Sequence, residues 1–221
     1  MADDHSTAVC SSAGVSLHGL ASTGCCMTKS IDFWFAIGST YTYLSVSRIG
    51  QIDALKDATV RWRPFDLRTM NQEINYRPFA DKPVKLAYMW RDVERRCSMY
   101  GIPFNGKPPY SIADLPRANR VALVGAHQGW CESYVRTTYR RWFLDHEDPS
   151  LDMNIERSLA TVGQDPKAVL ALAESQEMHD ALAEETLEAK RLGVFGSPTF
   201  AIGGEIFWGD DRLEDAIRWI K

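Results

Sequence analysis

Two hydroxyls, Ser39 and Thr42, stand three residues apart in FAIGSTYTYL (residues 35–44), where an apolar run gives out. That run, IDFWFAI at 31–37, stops at Gly38, and the residues that follow are spaced for a helix, so Ser39 falls at a helix N-terminus. A hydroxyl there has two uses. It can cap the helix by accepting from a first-turn N–H, or it can donate to an anion drawn in by the unpaired N–H groups and the positive end of the helix dipole. Neither hydroxyl supports dithiol redox chemistry, which needs a thiolate nucleophile and a sulfur leaving group. A thiolate brought by a cofactor is an anion that would suit the place.

Two further stretches carry possible chemistry. In GVFGSPTF (193–200) Pro198 opens a strand after a helix, and only about 5–6% of X-Pro bonds are cis. In WGDDR (208–212) Asp210 and Asp211 read either as the charged first turn of a helix, where acids are favourable without a ligand, or as the holders of the amino end of a zwitterionic ligand. His5, His18, His127, His146 and His179 have no zinc spacing and complete no nucleophile triad, so no metal is expected. Neither GxGxxG after a strand nor GxxxxGK[ST] occurs, which leaves nucleotide binding without a motif.

The elements that must position these groups follow from periodicity. IDFWFAI is apolar on both faces, as in a strand buried within a covered sheet. TYTYLSVSRIGQIDAL has helical spacing in Tyr41, Leu44, Ile49, Ile52 and Leu55, and ATVRWRPFDL alternates through Val60 and Trp62 to a stop at Pro64. A parallel strand pair is the expected result. Leu86, Met89, Val93, Cys97 and Tyr100 predict a helix over 82–100 ended by Gly101 and Pro103, with more helices near 115–128, 132–145, 152–162 and 166–192, the last entered through Asp165 and Pro166. PTFAI, Gly203-Gly204 and EIFW predict a hairpin, and a final helix carries Leu213, Ala216, Ile217 and Ile220, capped by Asp210 or Asp211.

Composition bounds the partners. The 221 residues are 45% apolar with a formal charge of −4, and no Lys/Arg block offers a footprint for nucleic acid or an anionic membrane. No apolar run approaches the roughly 20 residues of a membrane helix. Five cysteines, Cys10, Cys25, Cys26, Cys97 and Cys131, form no CxxC, which points to a reducing, cytoplasmic setting, with Cys97 and Cys131 as core filler. Residues 1–30 lack the features of a secretory or transit signal and are expected to be a disordered arm, with Met27 as a possible true start.

Strand-helix-strand, a helical insert, then hairpin and helix is the order of a thioredoxin-like α/β fold with an inserted all-helical lobe. The expected division is 31–74 and 187–221 for the thioredoxin-like part and 75–186 for the insert. In that fold a CxxC lies between the first strand and helix, where this chain reads Ser39 and Thr42. The fold also sets a cis-proline opposite the motif, which makes Pro198 the candidate and exposes the Ser197 backbone to a peptide-like ligand.

Together FAIGSTYTYL, VKLAYMWRDVERRCSMYGIPF, GVFGSPTF and FWGDDRLE resemble the 2-hydroxychromene-2-carboxylate isomerases and the related kappa-class glutathione transferases, in the DsbA-like branch of the thioredoxin superfamily. The likeness runs from about Ile31 to Lys221. It implies glutathione as cofactor, with Ser39 hydrogen-bonding its sulfur and lowering the thiol pKa from about 8.5 toward neutrality. It also implies helix-start contacts from Thr40 and Tyr41, pairing of Ser197 before Pro198 with the cysteinyl backbone, and the γ-glutamyl end on Asp210 and Asp211. In the isomerases the thiolate adds to the chromene, the ring opens, a bond rotates, and elimination releases the trans-benzylidenepyruvate product. The resemblance assigns the substrate's carboxylate to Lys85 and implies a homodimer active in aromatic catabolism. Thr40 replaces the family's proline, Asp210 replaces an Asn or Ser, and the glutathione-contacting asparagine is offset, with Tyr76 in its register and Asn75 one residue early. A kappa-like transferase and a non-catalytic thioredoxin-like binding module are the alternative readings.

Overall fold

The computed structural model describes residues 30–56, 58–79, 82–110 and 112–220, so the arm expected at 1–30 lies, apart from Ser30, outside them. Four strands form one sheet: β1 (Ser30–Phe35), β2 (Thr59–Pro64), β3 (Thr199–Ile202) and β4 (Glu205–Trp208), in the order β2-β1-β3-β4. β1 runs parallel to β2 and antiparallel to β3, and β3 pairs antiparallel with β4 through the Gly203-Gly204 turn, both glycines at positive φ. Pro64, which cannot donate to a ladder, closes the edge strand β2.

Alternation along β1 splits its side chains between two cores. Phe33 and Phe35 enter the larger one, where Phe33 stacks on Phe200 at 5.2 Å and meets the edge of Trp62 at 4.9 Å. Trp34, and Ala36 just past the strand's end, enter the smaller one with Phe65, Ala189 and Val194. β1 is thus covered on both faces, as its sequence predicts.

Helix α1 (Thr40–Arg48) is shorter than its spacing predicts: two 3₁₀ turns, Ile49–Gln51 and Asp53–Leu55, replace its second half. Gly50 is a poor helix former and Ile52 is extended, which breaks the ladder. A short helix α2 (Leu67–Glu73), absent from the sequence reading, follows β2; Asp66 caps it by accepting from the Arg68 and Thr69 amides at 3.0 and 3.1 Å. α3 (Pro83–Tyr100) starts on its proline and ends at Gly101 in the left-handed region, with Met89, Trp90, Val93 and Cys97 buried.

α4 (Leu115–Gln128), α5 (Cys131–Leu144) and α6 (Asp152–Thr161) lie where the apolar spacing puts them. The single stretch expected over 166–192 is two helices, α7 (Pro166–Ala173) and α8 (Gln176–Arg191). Ser175 divides them because its extended backbone and hydroxyl cap α8, accepting from the Met178 amide at 3.3 Å. α8 runs unbroken through residues 186 and 187. The chain closes with a 3₁₀ turn, Asp210–Arg212, and α9 (Leu213–Trp219).

What fixes the segment after β1 is α4. Asn119, 1% exposed, accepts the Ile37 N–H at 2.8 Å and returns its own amide to the Leu115 carbonyl at 2.9 Å. Asn119→Ala leaves the buried Ile37 amide unpaired and should lower the unfolding free energy by about 2 kcal/mol. Urea denaturation checks this, and an unchanged midpoint would show that the bond holds nothing.

Candidate active site at the head of α1

Ser39 occupies the N-cap position of α1 but does not cap it with its side chain. Its hydroxyl instead donates to the Ser197 carbonyl at 2.7 Å, across 158 residues of sequence. Thr42, one turn further and fully buried, shares a 2.7 Å hydrogen bond with the Ser197 hydroxyl, which also accepts the Ala36 N–H at 2.8 Å. Both hydroxyls thus end on the same residue. The Ser197-Pro198 peptide bond is cis, and the Pro198 carbonyl accepts the Gly209 N–H at 2.9 Å. From behind, the buried hydroxyl of Tyr139 shares its proton between the carbonyls of Ala36 and Ser39, at 3.1 and 3.2 Å.

The site therefore offers a hydroxyl, the free N–H groups of the first turn of α1 and the backbone of the residue before a cis-proline. Among the described residues the Ser197 N–H has no hydrogen-bond partner. This donor set suits an extended peptide-like ligand that carries an anionic atom to Ser39. No group of His, Cys, Asp and Glu among the described residues is placed to hold a metal. No helix among them is long and apolar enough to cross a membrane.

Residues 30–218 match the family model of the DSBA-like thioredoxin domain. The chain belongs to that family. Within it, the chain is 28% identical over 190 residues to a 2-hydroxychromene-2-carboxylate isomerase of Sphingobium xenophagum, covering 85% of this chain and 96% of that one. It is 25% identical over 198 residues to glutathione S-transferase kappa 1 of Caenorhabditis elegans, covering 83% and 87%. A solved 2-hydroxychromene-2-carboxylate isomerase structure superposes with a TM-score of 0.72 at 25% identity, over 84% of this chain and 91% of the other. The sequence and the architecture agree on a DsbA-like thioredoxin fold.

This DSBA-like chain places the other sequence-predicted residues unequally. Thr40 is buried with its hydroxyl donating to Met89 Sδ at 3.1 Å, and Tyr41 donates to Asp92 at 3.0 Å; their side chains are engaged with α3, which leaves their backbone N–H groups to the site. Burial, with the Asp92 carboxylate, pushes the Tyr41 phenol well above its usual range. Asn75 is exposed at the end of α2 with φ 53°, a left-handed conformation that asparagine tolerates. Lys85 is exposed on α3, its ammonium 6.0 Å from the centre of the Phe79 ring.

Asp210 requires a correction. It caps no helix, and its side chain is sealed inside the protein at 1% exposure, receiving Ser45 at 3.0 Å, Arg48 at 3.0 Å and Arg96 at 3.1 Å. Burial raises its carboxyl above the ordinary range, and the arginines with Ser45 pull it part of the way back. Arg48 extends the network to Glu214, and Arg96 to Asp92. The charge that Asp210 adds is therefore neutralised within the fold. Asp211 is the acid that faces outward, 3.0 Å from Arg212. Neither Asn119, Tyr139 nor the two arginines stood out in the sequence, because each acts through a partner remote in the chain.

Asp210→Ala would remove the anion that two largely buried guanidinium groups share, leaving Arg48 to Glu214 and Arg96 to Asp92. A loss of about 3–5 kcal/mol of stability is expected, measured by urea unfolding. A loss below about 1 kcal/mol, the range of an exposed pair, would contradict the role described.

Proposed function

We propose that the protein is a glutathione-dependent isomerase of the 2-hydroxychromene-2-carboxylate type, acting in the catabolism of aromatic compounds. The observation that carries this reading is the Ser39 hydroxyl, poised at the head of α1 and 2.7 Å from the carbonyl before the cis-proline, in a chain similar to isomerases of that name. The donor set fits glutathione. The Ser197 backbone would pair with its cysteinyl unit, the first-turn amides of Thr40 and Tyr41 would face its negative end, Asn75 would contact it at the rim, and Asp211 would receive the γ-glutamyl ammonium.

Ser39 has one proton to give, and in this structure Ser197 holds it. An amide N–H of the ligand arriving at the Ser197 carbonyl takes over that bond and frees the hydroxyl to turn to the sulfur. Donation to sulfur favours its charged form, as does the dipole of α1. Glutathione held by the Ser197 backbone and the Ser39 hydroxyl would supply a thiolate nucleophile for reversible addition to the chromene. The substrate's carboxylate requires a cation, and Lys85 is the residue that the family likeness names for it. The buried free thiols of Cys97 and Cys131 support a reducing, cytoplasmic setting, and burial with the nearby Asp210 charge lifts Cys97 to about 12, so that it does not compete as a nucleophile. We also propose that the protein is a homodimer.

The kappa-class relative supports a second reading, conjugation of glutathione to an electrophile that keeps the sulfur. Turnover of 2-hydroxychromene-2-carboxylate with and without glutathione separates the two. Ser39→Ala should lower glutathione-dependent turnover by about 100-fold or more, while weakening glutathione binding less than tenfold, because the hydroxyl acts chiefly on the charged sulfur. Equal turnover by the variant would remove Ser39 from the mechanism.

A further inference from the structure

Arg68 differs from the other partly buried arginines of the site region. Arg48, Arg63 and Arg96 each meet a carboxylate within 3.1 Å, whereas among the described residues none lies within 4 Å of Arg68. Its guanidinium is fixed instead by two backbone carbonyls, Ile112 at 2.8 Å and Ala113 at 3.1 Å. Those bonds use two of five N–H donors and neutralise nothing.

The loop that anchors Arg68 also packs beside the Ser39 segment. Ile112 and Leu115 pack so closely on Gly38 that a Cβ there would lie 3.2 Å from Ile112 Cδ1 and clash with Leu115. Gly38 directly precedes Ser39, so the loop that holds Arg68 packs against the residue next to the serine. Tyr110, 41% exposed, stands on the same loop with the Trp90 ring edge-on at 5.7 Å. Arg68 is near enough to act electrostatically on the Tyr110 phenol, partly offsetting the upward push of burial. An anchored cation beside the partly exposed Tyr110 ring matches an aromatic carboxylate.

The geometry points to Arg68 as the residue that receives the carboxylate of the aromatic substrate, an inference that rests on the isomerase reading. A guanidinium held by main-chain carbonyls is already ordered, so it binds a carboxylate through its fork with little further loss of freedom. Lys85, on an exposed flexible stem, has no such anchor. Arg68 is thus a specificity residue for the anionic group and takes no part in activating the sulfur.

The test uses the full chain and two variants. Arg68→Gln can still donate to a loop carbonyl but has no charge, and Arg68→Lys keeps the charge without the fork. For Arg68→Gln, KM for 2-hydroxychromene-2-carboxylate should rise at least about tenfold, the loss of a hydrogen bond to a charged group, with kcat within about threefold. Calorimetric Kd for trans-benzylidenepyruvate should weaken in parallel, Kd for glutathione should not change, and Arg68→Lys should recover part of the loss. Unchanged KM and Kd in Arg68→Gln overturn the inference alone. A rise confined to the glutathione Kd also overturns it, by assigning the guanidinium to the tripeptide. A wild-type protein with no glutathione-dependent turnover of the chromene overturns the isomerase reading and this inference together.

Discussion

The hydroxyls of Ser39 and Thr42 both end on Ser197, one on its carbonyl and one on its side chain, and this double hold ties the start of α1 to the turn before β3. A pair of cysteines at these positions would react with each other; hydroxyls can only hydrogen-bond. The bonds therefore fix where the serine sits and which carbonyl it faces. The covered strand β1 delivers Gly38 and Ser39 to that point, Asn119 and Tyr139 hold the intervening backbone from the helical side, and the Gly209 amide closes the far side of the cis-proline turn.

A second constraint lies beneath the first. Asp210 is buried between Arg48 of α1 and Arg96 of α3, so the turn that presents Asp211 is tied to both helices. Desolvating a lone carboxylate there would be prohibitive, and two guanidinium groups with the Ser45 hydroxyl make it tolerable. Asp92 joins Arg96 to Tyr41, which returns the network to the first turn of α1. One connected set of charges thus sets the spacing between the serine and the acidic turn.

The sheet was legible because each strand carries a strong local signal: apolar faces in IDFWFAI, a terminal proline in β2, paired glycines in the hairpin. The site was legible as two separate stretches, FAIGSTYTYL and GVFGSPTF, and only the order of the elements brought them face to face. One short helix and one helix break were missed. α2 buries no side chain fully, with Leu67 and Met70 packed only partly against the smaller core, and the break at Ser175 hides in a run that is apolar on both sides of it. Asp210 was misjudged for another reason: an acid in a turn normally faces water, and nothing near it in the sequence announces Arg48 and Arg96. Arg68 likewise gains its meaning only from the carbonyls of a loop more than forty residues away.

The central claim is that this helix start stabilises a thiolate delivered to Ser39. Its most direct test is a pH titration of the bound glutathione thiol, followed by the ultraviolet absorbance of the thiolate on the wild-type protein. The account predicts a midpoint well below the ordinary thiol value of about 8.5, with glutathione affinity rising as pH climbs from the bound to the free midpoint. A bound thiol that titrates at or above the free value would contradict it.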